Sequence, residues 1–207
     1  PVRRLLNGME KHVRFAAAQA LTATAKYAAV AESAEMARVF EGPVSYTVKQ
    51  GVGITPARKD TLRAEVFLKR KQAAYLEAQM EGGARRRRPF EAQAAREAGV
   101  SIASAVPGLG IKTDARGNVS KATIAKLTRQ ARVRGSEYYY RKLDDGVTVL
   151  YQRGKKGAPS KPMLVFTAKR AQYRKRFDFF GVAQRTVEQK FSANFDSALR
   201  SAIATAR

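Results

Sequence analysis

Between residues 136 and 153 two β-prone runs meet across Asp144-Asp145-Gly146, and that pairing constrains the chain more than any other local feature. The first run is Ser136-Glu137-Tyr138-Tyr139-Tyr140-Arg141-Lys142-Leu143, and the second is Val147-Thr148-Val149-Leu150-Tyr151-Gln152-Arg153. A tight hairpin turn needs residues that tolerate a positive φ, and Asp-Gly supplies them, so the spacing predicts a β-hairpin. A third apolar run over 163–167 predicts a third strand. A basic-aromatic run over 173–181 then leads into a closing helix expected from about Val182. That helix carries Val187, Phe191, Phe195, Leu199 and Ile203 at four-residue spacing, with Ala198, Ala202 and Ala206 widening the stripe. Such a face needs an apolar cover. The three strands are the expected cover, with another subunit as an alternative for part of it.

The N-terminal stretch 8–40 reads as one long helix, in which Val13, Ala16, Ala17, Ala20, Leu21, Ala23, Tyr27 and Val30 form a broad face of mostly small residues. Its alanine content favours helix and permits close approach of a neighbour, either a core element or another subunit. Gly42-Pro43 ends it. Residues 44–56 read as a strand or loop with weak alternation. Residues 62–69 read as a strand with Leu62, Ala64, Val66 and Leu68 on one face, and 73–80 as a short helix ending at Gly82-Gly83. Arg85-Arg86-Arg87-Arg88-Pro89-Phe90 precedes a short helix over 91–98 that stops at Gly99. Turn signals at 107–110 and 116–118 surround an irregular stretch, followed by a helix over 120–131 with Ser120 as N-cap and Ile124 and Leu127 inward. Residues 154–162, with Lys155-Lys156-Gly157 and two prolines, read as an exposed loop.

The chain has 207 residues, of which 44% are hydrophobic, enough to bury a core, and a net charge of +23. A surplus of that size disfavours self-association without counter-charge and points to a polyanionic neighbour, either nucleic acid or an acidic protein surface. Four arginines in a row are favourable against phosphate or carboxylate, which a guanidinium binds bidentately. No run is long and apolar enough to span a membrane, and the N-terminal stretch does not read as a secretory signal. Pro1 at the start fits removal of an initiator Met before a small residue.

Catalytic chemistry finds little to work with. There is no cysteine, which excludes thiol nucleophiles and thiolate metal sites, and His12 is the single histidine. No nucleophile-elbow motif is present, and Gly108-x-Gly110 lacks the third glycine of a dinucleotide fingerprint. Asp60, Glu65 and Glu77 are scattered, and Asp144-Asp145 falls in the expected turn. No enzyme activity and no cofactor are therefore expected. Tyr173, Phe177, Phe179 and Phe180 interleave with Arg170, Arg174, Lys175 and Arg176. Such a run can stack on single-stranded nucleic acid, or its aromatics can anchor the closing helix while the cations point outward. The helical stripe that continues from it favours the anchor.

Three stretches in order carry a family resemblance. They are Val13-Arg14-Phe15-Ala16-Ala17-Ala18-Gln19-Ala20-Leu21-Thr22-Ala23-Thr24-Ala25; the segment from Gly82-Gly83 through the arginines to Pro107-Gly108 with Asp114-Ala115-Arg116-Gly117-Asn118-Val119-Ser120; and Pro162-Met163-Leu164-Val165-Phe166 leading to Tyr173-Arg174-Lys175-Arg176-Phe177-Asp178-Phe179 and the closing helix. In this order the chain resembles the minor tail protein Z family, the tail completion proteins of long-tailed bacteriophages. The resemblance implies a structural virion protein, assembled in the host cytoplasm. It would form a ring of six or twelve copies in the neck or upper tail that completes the tail and joins it to the head. Implied partners are its own copies, a tail terminator, tail tube or head-tail connector, and the packaged DNA, with no membrane. The alternative from composition is a free nucleic-acid-binding protein. The DNA- or partner-facing candidates are Arg85, Arg86, Arg87, Arg88, Lys155, Lys156, Arg174, Lys175 and Arg176.

The expected architecture is α+β: a long N-terminal helix and a mainly antiparallel sheet with a C-terminal helix packed on it. Residues 1–81 and 135–207 would form one domain, and 82–134 an irregular basic insertion.

Overall fold

The computed structural model describes residues 2–205. Pro1, Ala206 and Arg207 lie outside them, and with them the expectation that Ala206 extends the closing stripe. In chain order the elements are α1 (Val2–Val39), α2 (Ser45–Gln50), β1 (Val52–Thr55), β2 (Glu65–Leu68), α3 (Arg70–Glu81), β3 (Gly83–Ala84), α4 (Pro89–Ala98), β4 (Ser104–Pro107), α5 (Lys121–Gln130), β5 (Tyr138–Lys142), β6 (Thr148–Gln152), β7 (Lys161–Thr167), β8 (Gln172–Tyr173) and α6 (Phe179–Ala204). The fold is α+β, and the ladders among the described residues are antiparallel.

The chain divides into two compact units. One takes the chain up to Gly82 and again from Arg174; the other is Gly83–Tyr173. This differs from the division expected from sequence. Residues 83–134 are not an insertion standing apart from the hairpin, because β4 joins the hairpin's sheet and Ile102, Ile111 and Leu127 share its core. Only the stretch from Arg174 onward belongs with the N-terminal part.

In the first unit α1 packs along α6. The reason lies in a line of α1 at four-residue spacing: Ala16, Ala20, Thr24, Ala28, Glu32 and Met36 are all buried. Small side chains on such a ridge let a second helix backbone come close. Asn194 Nδ2 of α6 donates to Thr24 Oγ1 across the seam at 2.9 Å. The closing helix thus has α1 as its cover, where the sequence suggested the three strands. Its stripe is also rotated from the expected one. Ala202 is buried and Phe191, Phe195, Ala198 and Leu199 are half-buried, whereas Val187 and Ile203 are exposed. The core beside the seam is built from Met36, Leu76, Phe177 and Phe179, with Val48, Val52, Val66 and Leu68 packed against it. The stretch read as strand or loop over 44–56 is a short helix followed by a strand, and β1 pairs with β2 from Val52↔Leu68 to Thr55↔Glu65.

The second unit is a four-stranded sheet in the order β4-β7-β6-β5, with α4 and α5 contributing Ala94 and Leu127 to its core. Tyr138, Leu150, Met163, Leu164 and Phe166 fill the centre. The hairpin forms at the expected place. Leu143 N–H donates to Val147 O at 2.8 Å, Asp145 Oδ1 accepts from Val147 N–H at 3.0 Å, and Gly146 takes φ 79°. Gly108-x-Gly110 has a packing role here. A Cβ on Gly108 would stand 2.3 Å from Pro162 O, and Gly110 N–H donates to that same carbonyl at 2.8 Å. Ser120 caps α5, its hydroxyl accepting from Thr123 N–H at 3.0 Å.

Candidate functional site

The arginine run lies at the start of α4, and its four members do not behave alike. Pro89 opens the helix, lacking only an N–H that the first turn could not pair, and Glu91 two residues on folds back toward the helix start. Its side chain is 0% exposed, and its carboxylate is ringed by donors. Arg85 Nη1 donates to Oε2 at 2.9 Å and Nη2 to Oε1 at 2.5 Å. Arg88 N–H donates to Oε2 at 2.7 Å, and Ala105 N–H of β4 to Oε1 at 2.9 Å. Burial pushes the Glu91 carboxyl up, but the Arg85 guanidinium and the two backbone N–H groups outweigh it and hold it below the usual carboxylate range. The bidentate bond to Glu91 in turn raises Arg85. With a side chain 13% exposed and both terminal guanidinium nitrogens committed, Arg85 is a structural residue and leaves the group of outward-facing cations.

Arg86, Arg87 and Arg88 are exposed. Arg88 and Lys121 line a groove of about 600 Å³ between α4 and α5 together with Phe90, Val119, Ile124 and Ala125. A lining that joins apolar side chains to two cations suits a ligand or segment that is apolar and acidic together. Lys155 and Lys156 are exposed in the loop after β6, where Lys156 takes φ 52° and Gly157 φ 82°.

Arg174, Lys175 and Arg176 are exposed as well, but they belong to the other unit. Lys175 Nζ lies 3.5 Å from Asp178, and Arg176 N–H is bound to Gln79 O at 2.8 Å. Of the aromatics interleaved with them, Phe177 and Phe179 are core residues. Phe177 meets Phe40 and Phe179 edge to face at 6.0 and 5.9 Å. The anchor reading of this run therefore describes these two rings, while Phe180 is 74% exposed. The nine cationic candidates are accordingly divided between two units: Arg85 to Arg88 with Lys155 and Lys156 in one, Arg174 to Arg176 in the other.

No protein family, curated protein or solved structure matches the chain. Among the described residues no group of three or more His, Cys, Asp or Glu side chains can hold a metal ion, and no helix is long and apolar enough to cross a membrane.

Two features escaped sequence reasoning. Glu32 is 0% exposed, and neither carboxylate oxygen has a hydrogen-bond partner. Burial, with Glu35 and Asp178 nearby, pushes its carboxyl up to about 8. The available signal was a single acid on the line of small residues in α1. Glu91 left a fainter trace, because the residue three positions before it is Arg88 and not one of the short polar side chains that mark a capping box.

Proposed function

We propose that this chain is a structural subunit of the neck or upper tail of a tailed bacteriophage, working as a homo-oligomeric ring of six or twelve copies that completes the tail and joins it to the head. Its neighbours would be other copies, adjoining neck or tail rings, and the packaged DNA. The observation that carries the reading is the way the two long helices spend their side chains. The α1 side of their seam is mostly alanine and threonine, and several large apolar groups of the two helices are held outward: Val30 is 69%, Ile203 62% and Phe180 74% exposed, with Phe15, Tyr27 and Val187 also exposed. A free-standing protein has little use for so many exposed large apolar groups, whereas an assembly subunit covers them on contact. A closed ring needs two different complementary faces on each subunit. The net charge of +23 suits a wall around a DNA path or a dock for an acidic ring. The order of the three family-like stretches points the same way.

Light scattering of the purified protein, alone and with virion partners, followed by electron microscopy of particles, tests the proposal. A ring, or a monomer that becomes a ring at the head-tail junction, is expected. A stable monomer or dimer absent from particles overturns it. If that species also binds DNA with an affinity that falls steeply with salt, the charge serves nucleic acid instead.

A further inference from the structure

The two edges of the four-stranded sheet are built differently, and the difference marks an interaction surface. On β4, Gly108 N–H continues the ladder to Met163 O at 2.9 Å, so Ser104 and Val106 face β7, while Ala105 and Pro107 face outward. Pro107 has no N–H, and the Ala105 N–H is taken by Glu91 at 2.9 Å. No outward donor is left on that edge.

On β5 the same alternation runs the other way. Leu143 N–H donates to Val147 O at 2.8 Å and Arg153 N–H to Glu137 O at 2.7 Å, so the odd-numbered residues face β6 and Tyr138, Tyr140 and Lys142 face outward. Ser136 Oγ takes the Tyr138 N–H at 3.2 Å. The Tyr140 and Lys142 N–H groups have no hydrogen-bond partner among the described residues. Arg141 and Lys142 are exposed, and Arg153 lies over the Tyr139 ring at 4.5 Å.

We propose that β5 is a docking edge that accepts an extended, acidic segment of another protein as an added strand. An unpaired row of donors and acceptors is a template for such pairing. Continuation of the sheet onto the β4 edge of another copy is closed by Glu91 and Pro107. Pairing of β5 with β5 of a second copy brings together two chains of +23. On the outer face Arg141 and Arg153 stand with one acid, Glu137, whose carboxylate already accepts from Gln152 Nε2 at 3.0 Å, so the face keeps a cationic surplus suited to carboxylates. On the other face, Tyr140 offers a half-buried ring to an apolar neighbour. The incoming strand thus alternates, with acids beside Arg141 and apolar residues hydrogen-bonded opposite Tyr140 and Lys142. This goes beyond ring assembly, and it stands or falls whether or not the chain is a virion protein.

The test uses the full chain and three blocked heptapeptides: alternating Glu-Val, the same peptide N-methylated at its valines, and the same peptide N-methylated at its glutamates. Amide exchange and chemical shifts are followed by NMR. Protection of the Tyr140 and Lys142 amides by the first and third peptides, and its loss with the second, is the expected result, because only the valine N–H groups point at β5. Arg141→Glu is expected to weaken the acidic peptide about tenfold and to turn preference toward a Lys-Val counterpart. Absence of protection at millimolar peptide overturns the docking edge, as does indifference to valine methylation. Equal binding of the Lys-Val peptide by the unaltered chain overturns the acidic partner. A dimer in sedimentation that protects the Tyr140 and Lys142 amides without any peptide gives the edge to a second copy and overturns the proposed occupant.

Discussion

Glu32 and Glu91 are enclosed to the same degree, one in the α1 seam and the other at the corner of α4 and β4, and their carboxyls are displaced in opposite directions. Glu91 is met by a guanidinium and two backbone N–H groups. Glu32 follows a line of alanines and a threonine; the Ala183 backbone N–H and Arg185 of α6 pull its carboxyl down, but burial and the repulsion of Glu35 and Asp178 outweigh them. Arg185 is itself held 3.5 Å from Asp178. Burial therefore does not decide the charge of an acid in this fold. The donors that the local backbone can bring within reach decide it.

Breaking the satisfied site is expected to cost most. Glu91→Ala strands the Arg85 guanidinium and the Ala105 N–H, and should destabilise the Gly83–Tyr173 unit by about 3–5 kcal/mol. Hydrogen exchange at Ala105, protected in the unaltered chain, reads this directly. Because the folded carboxyl lies below its unfolded value, its stabilisation is complete above the ordinary carboxylate range and is lost as pH falls through the lowered folded value. Retained protection of Ala105 in the variant would remove Glu91 from the edge.

Relieving the unsatisfied site should do the reverse. The Glu32 carboxyl ionises at about 8 in the folded chain against 4.5 as an isolated group, so stability falls as pH rises across that window and is lowest above it. Glu32→Leu is expected to gain about 3 kcal/mol at the alkaline end, with the gain shrinking toward pH 4.5. Urea midpoints measured across the window would show the two chains converging on the acid side. Parallel curves would mean the acid is solvated.

The seam itself gives a smaller effect. Ala28→Leu places a large side chain where α6 approaches and should cost about 1–3 kcal/mol, read as loss of thermal stability. At the bottom of the series, Arg87→Ala should change stability by less than about 0.5 kcal/mol, although it lies two residues from Arg85, because its side chain is exposed. A large loss there would make the arginine run a single structural unit.

Much of this architecture was legible from local rules. The hairpin at Asp144-Asp145-Gly146, the third strand, the long first helix and the Ser120 cap depend on neighbours close in sequence, and residue type alone carries that information. Partnership at a distance was not legible. Nothing in 179–204 says whether its apolar face meets strands or a helix; that followed from the alanine ridge of α1, some 170 positions earlier, as in the Thr24–Asn194 bond. Likewise four adjacent arginines look equivalent as a string. A buried carboxylate reached through a helix turn makes Arg85 structural and leaves Arg87 in solvent. Which sheet edge is open also came from register alone: the parity of β4 and β5 decides whether a proline and a glutamate, or two free amides, face outward.

The sequence by itself determined the hairpin turn, the long first and last helices, the net charge and the small-residue character of α1, because these depend on side-chain volume, φ preference and formal charge. Only the tertiary structure decided the pairing of α1 with α6, the division at Gly82 and Arg174, the commitment of Arg85 and the opposite states of two buried acids. Each of those depends on groups far apart in the chain reaching hydrogen-bond or van der Waals distance, which no local pattern encodes.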